Sequence, residues 1–87
     1  LTPNDVATVY VRANFSKTIW QVRADRHQYI LGHKSAAVYK TLNRAITKAV
    51  GVRLDPRATV GNIQAARTEL LAAYQTALHS PDVKKAA

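Results

Sequence analysis

VATVYVRANFSKTIWQVRADRHQYIL, residues 6–31, is the stretch whose reading decides the fold. Read as helix, it completes an all-α chain. Read as strands, it makes an α+β protein with an N-terminal β-hairpin or meander followed by two helices. Thr18, Trp20 and Val22 alternate with Ile19, Gln21 and Arg23, and the β-branched and aromatic content suits a pleated surface. Against strands, neither candidate turn, 14–17 or 24–27, holds the glycine that tight hairpins favour. The helical reading is preferred.

Working outward, Thr2-Pro3-Asn4-Asp5 has the order of a helix start: a cap, a proline in the first turn and an acid close behind. A first helix over 3–13 places Val6, Val9, Tyr10 and Ala13 on one core-facing side, with Asn14 as a left-handed stop. Ser16 then caps a second helix that reaches Leu31 and ends at Gly32. With Asn14-Phe15 as the turn, this pair also reads as a helix-turn-helix, whose second helix offers its early side chains to base edges. Ser35 caps a third helix that stops at Gly51, and Val38, Leu42, Ala45, Ile46 and Ala49 share its apolar face. Residues 52–58, with Asp55-Pro56, connect to a last helix opened by Thr59. Its apolar face holds Val60, Ile63, Ala66, Leu70, Tyr74, Ala77 and Leu78.

The expected architecture is therefore all-α, a small bundle of about four helices. Residues 1–80 are expected to form a single basic helical domain, and 81–87 a frayed C-terminal tail. Fifteen alanines against three glycines and three prolines agree with helix. The 87 residues suffice for one modest core.

Thirteen Lys and Arg against five acids give a net charge of +8. The charge is unevenly placed, because residues 12–48 carry eight cations against Asp25 alone. An unmixed stretch points to a partner that supplies the missing negative charge. The leading expectation is a non-enzymatic nucleic-acid-binding domain, with DNA ahead of RNA. Arg23, Arg26, Lys34, Lys40, Arg44 and Lys48 would hold phosphates, and Lys17, Thr18 and Gln21 would read bases. Lys40, Arg44 and Lys48 are spaced by four and form one stripe on the third helix. Phe15 and Trp20 read first as core anchors, although aromatics beside cations also suit single-stranded binding.

The alternative belongs to another class. A protein-interaction or assembly module, of phage or mobile-element origin, would dock on an acidic partner or self-associate as a homo-oligomer through the last helix. That helix has an apolar side widened by Leu71 and a far side nearly uncharged at Ala65, Ala72 and Ala73.

Enzymatic constellations are poor. His27, His33 and His79 are not paired at helical spacing, the five acids are scattered, and cysteine is absent. No enzyme activity, cofactor or metal is expected. The run Leu31-Gly32-His33-Lys34-Ser35 resembles the box around a late histidine in tyrosine recombinases. Tyr39 follows it too soon, however, and the paired arginines of that family do not occur at usable spacing. No apolar run approaches the roughly 18 residues of a membrane span, so a cytoplasmic protein with no membrane partner is expected.

Overall fold

A capped start, one long helix, a tight reversal and an antiparallel helical pair make up the chain. The computed structural model describes residues 2–83. Helix α1 (Pro3–Asp25) runs into a π-helical turn (Arg26–Ile30), and α2 (Ala36–Leu54) and α3 (Val60–His79) follow. The chain is all-helical, with no strand among the described residues. The β-hairpin or meander over 6–31 is thus overturned, and three long helices replace the four expected.

The two expected N-terminal helices are one. Thr2 accepts from the Asp5 N–H at 3.2 Å, and Asp5 takes the Thr2 N–H at 2.9 Å, so the helix start read from the sequence is formed, as a capping box. The same Thr2 bonds, backbone first, hold the Asp5 carboxyl below its ordinary range. Asn14 and Ser16 then sit inside the helix, so the helix-turn-helix has no turn. Neither residue breaks a helix as proline does, each costs less there than glycine, and Phe15, Thr18, Ile19 and Val22 form one buried side across the supposed junction.

The π-helical turn corrects the register of that side. Counting on from Val22, regular α geometry would bring Tyr29 round to the core at i+7. The wider turn inserts one residue's worth of rotation, so Ile30 is fully buried and Tyr29 stays exposed. Gly32, at φ 79°, makes the reversal in a region that side chains rarely adopt.

Ser35 caps α2 by accepting from the Val38 N–H at 3.3 Å. The helix passes through Gly51, where a stop was expected, and ends at Leu54. Pro56 sets that limit by pushing Asp55 into an extended conformation, with ψ at 113°. Thr59 and Asn62 form a second capping box at 3.1 and 3.0 Å. Ser80, extended before Pro81, closes α3.

The core joins Phe15, Ile19, Val22 and Ile30 to Leu42, Ile46 and Ala49 of α2 and to Ile63, Leu70 and Ala77 of α3. Because α3 packs against both other helices, its apolar side must be broad. Leu71 and Ala73, which suggested self-association, are partly buried against this core.

One side chain fixes how α1 lies on the pair. Arg12 donates to the carbonyls of Arg53 at 2.6 Å, Asp55 at 2.7 Å and Ala58 at 3.1 Å. This locks α1 to the α2–α3 connection; Val11 still packs on the core, and the turns before it extend past the end of the pair. The molecule measures 60 × 17 × 16 Å. Val6, Val9 and Tyr10, expected in the core, are 46%, 67% and 76% exposed.

At the opposite end, the Val83 N–H donates to the His33 carbonyl at 2.9 Å and Lys34 pairs with Asp82 at 2.6 Å. Lys34 also donates to the Ser80 carbonyl. Residues 84–87, the remainder of the tail expected to fray, lie outside the described residues.

Two outcomes follow for stability. Phe15→Ala should cost about 3–5 kcal/mol, whereas Val9→Ala should change stability by less than about 0.5 kcal/mol, both read from urea unfolding. A large loss for Val9→Ala would place that face in the core after all. The Asp82 carboxyl is held below its ordinary range by the Lys34 hydrogen bond and then by the Lys34 charge. A depressed folded-state value stabilises above the ordinary aspartate range, and the contribution is lost as pH falls through the lowered value. Carboxyl titration by NMR should therefore show an Asp82 midpoint below that of a solvated aspartate, returning to the ordinary range in Lys34→Met.

Candidate functional site

Helix α1 carries two sides with different fates. Its inner side holds Phe15, Thr18, Ile19 and Val22. At 100° per residue, Val6, Val9, Ala13 and Trp20 cluster on the opposite side, flanked by Lys17 and Arg23. Trp20 is 68% exposed and lies under the Arg23 guanidinium, 5.3 Å from the ring centroid. The single tryptophan, expected first as a core anchor, is thus a surface residue, while Phe15 is buried as read. No acid lies on this outer strip between Val6 and Ala24. Asp25 is engaged elsewhere: it accepts from Gln21 at 2.9 Å and faces Tyr74. Partial burial, and then the Asp25 carboxylate, push the Tyr74 hydroxyl up to about 12.

The nine residues expected to contact nucleic acid do not make one surface. Thr18 is buried, donating to the Asn14 carbonyl and accepting from Arg67, both at 3.1 Å, so it cannot reach a base. Gln21 is exposed and bonded to Asp25. Lys34 is neutralised by Asp82, and Lys48 by Glu69 at 2.7 Å. The stripe on α2 therefore retains only Lys40 and Arg44 as exposed cations without an ion pair among the described residues. Lys17 and Arg23 lie on the outer side of α1.

Arg26 is held differently. It donates to Asn43 Oδ1 at 2.6 Å, and its guanidinium stacks 5.4 Å from the Tyr39 ring centroid. Arg23 of α1 and Arg26 of the π-helical turn line one groove with Asn43, Ile46, Thr47 and Val50 of α2. Asn43 was missed from the sequence, where nothing distinguishes it from any polar residue on a helix. The exposed strip on α1 was missed for another reason: dividing the segment at Asn14 hid the common face of Val9 and Trp20.

Among the described residues no group of three or more His, Cys, Asp or Glu is placed to hold a metal ion. No helix among the described residues is long and apolar enough to cross a membrane.

Comparison with known proteins fixes the setting. Residues 1–78 match the family model described as CAMP factor (Cfa). The chain is 46% identical over 78 residues to Protein B of Streptococcus agalactiae, covering 90% of this chain and 34% of that protein. Its fold is similar to that of the CAMP factor of Mobiluncus curtisii, with a TM-score of 0.84 and 44% identity over 86% of this chain and 34% of the other. It is also similar to the crystal structure of GBS CAMP factor, with a TM-score of 0.79 and 44% identity over 80% of this chain and 33% of the other. The chain spans about a third of the length of these relatives.

These matches overturn the nucleic-acid-binding reading and its DNA partner, and the alternative assembly module of phage or mobile-element origin falls with them. The structure adds that, of the residues expected to read bases, Thr18 is buried and Gln21 is bonded to Asp25, leaving Lys17 exposed, and that the basic stripe is partly paired. On the match of residues 1–78, the chain belongs to the CAMP factor (Cfa) family.

Proposed function

We propose that this chain is a non-enzymatic helical module of a secreted, co-haemolytic factor, and that it works by adsorbing the outer side of α1 to a membrane surface. The family's co-haemolytic, toxin-like character supports a membrane setting and a mechanism without catalysis. It also favours action outside the cell over the cytoplasmic placement expected from the sequence. The lack of a spanning run excluded a membrane partner in that reading, but a helix lying in the interface needs none.

The observation that carries the proposal is the exposed strip of Val6, Val9, Ala13 and Trp20 with Lys17 and Arg23 beside it. Interfacial binding draws on two terms, burial of apolar surface among the acyl chains and attraction of cations to anionic headgroups. Tryptophan suits the boundary because its ring is apolar and its N–H is polar. The strip supplies both terms on one helix side.

Trp20, the only tryptophan, is its own reporter. Its emission should shift to the blue on addition of anionic phosphatidylcholine/phosphatidylserine vesicles and be quenched by brominated acyl chains. Val9→Asp should weaken adsorption about tenfold, close to 1.4 kcal/mol, without unfolding the chain, because Val9 is exposed. Unchanged Trp20 emission at saturating lipid would overturn the proposal.

A further inference from the structure

We propose that the groove between the end of α1 and the middle of α2 binds the phosphate monoester of a phospholipid headgroup, with Arg23 and Arg26 as its cations and Asn43 and Thr47 as neutral donors. The source of the phosphate rests on the membrane-surface reading; the chemistry of the groove stands on its own residues.

The groove is open to solvent, has a volume of about 450 Å³ and is lined by Arg23, Arg26, Asn43, Ile46, Thr47 and Val50. Two arginines line it, and no acid does among the described residues. The nearest acid in sequence, Asp25, is turned toward Gln21 and Tyr74. Most other cations with a defined contact have a different use: Arg12 holds three carbonyls, Lys34 and Lys48 hold carboxylates, and Arg67 donates to Thr18.

Arg26 is the exception. Its guanidinium is fixed by Asn43 on one edge and by the Tyr39 ring on its face. Its Nε is buried and has no hydrogen-bond partner among the described residues. A buried donor on a charged group without an acceptor is unfavourable, so the hydrogen-bonding capacity of this guanidinium is not used up by the protein itself. The fork of donors on a planar guanidinium matches a tetrahedral phosphate, and prior fixation reduces the ordering needed on binding.

Asn43 is committed in a useful direction. Arginine only donates, so the amide oxygen must be the atom facing Arg26, which leaves the amide NH2 as a donor. The Thr47 hydroxyl lies one helical turn further along α2. Ile46 and Val50 add an apolar wall suited to the glycerol and first methylenes behind a phosphate. Arg23 links this groove to Trp20, which it covers, so a headgroup at the arginines would sit beside the ring that enters the interface.

The test uses the 87-residue chain with phosphatidylcholine vesicles with and without phosphatidic acid, and soluble glycerol 3-phosphate as a separate arm. Phosphatidic acid should raise vesicle affinity. Arg26→Lys, which keeps the charge and loses the fork, should remove about tenfold of that gain. Arg23→Gln, an exposed substitution that leaves the core untouched, should do the same. Lys40→Gln removes an equal charge outside the groove and should change affinity less than about twofold. Glycerol 3-phosphate should shift the NMR signals of Arg26 Nε–H and the Asn43 amide in the wild type.

Equal losses for Lys40→Gln and Arg23→Gln would reduce the effect to net charge and overturn the site. Vesicle binding with no preference for phosphatidic acid and no shift with glycerol 3-phosphate also overturns the site, while leaving membrane adsorption standing. Shifts with glycerol 3-phosphate in a chain that binds no vesicle overturn the lipid source and the membrane reading together.

Discussion

The Arg12 guanidinium on the carbonyls of Arg53, Asp55 and Ala58 is the contact on which the arrangement of the molecule depends. The last carbonyls of a helix have no partner within it, and a cation there also meets the negative end of the helix dipole. Arg12 satisfies both needs for α2 while joining α1 to the connection before α3. The position along α1 at which this happens has a further effect. Val11 beside Arg12 still packs on the core, but the turns before it run past the end of the helical pair and leave Val6, Val9 and Tyr10 exposed. The same bond that closes one end of the core therefore leaves an apolar strip in solvent.

The second half of the fold was legible because its signals were strong and consistent. Ser35 and Thr59 cap the helices that they were read to cap, and Leu42, Ile46, Ile63 and Leu70 lie in the core as their spacing requires. Gly51 misled because glycine lowers helix stability without forbidding helix, whereas Pro56 restricts the residue before it sterically. The N-terminal half misled for a related reason. Asn14 and Ser16 can end or begin a helix, but only when the chain gains by doing so. Here, a continuous Phe15, Ile19 and Val22 side gains more by continuing. The alternation of Thr18, Trp20 and Val22 that suggested strands resolves on a helix, where Trp20 lies opposite the other two. The π-helical turn had no sequence signal; it follows from the need to bury Ile30 rather than Tyr29.

The charge pattern was legible as a number and not as a surface. Residues 12–48 hold eight cations against one acid, yet the fold brings Glu69 to Lys48 and Asp82 to Lys34 from outside that stretch. Arg12 is taken by carbonyls. A one-signed segment thus became a mixed surface, because tertiary packing and not chain proximity decides which charges meet. Arg26 shows the opposite case: its neighbours Asn43 and Tyr39 hold it in place without neutralising it.

Two groups of cations without an ion pair among the described residues differ in kind. On α2, Lys40 and Arg44 stand one turn apart on an exposed side with no large apolar residue between them. Such a pair attracts anions through solvent, a force that salt screens within about 10 Å. On α1, Lys17 and Arg23 flank Val9 and Trp20, so electrostatic approach and apolar burial act on the same side of the same helix. The first arrangement gives attraction without depth. The second gives attraction that leads into insertion, with the groove of Arg23 and Arg26 at the end where α1 turns back toward α2. That difference, and not the total of +8, is what the proposed membrane-facing role of α1 rests on.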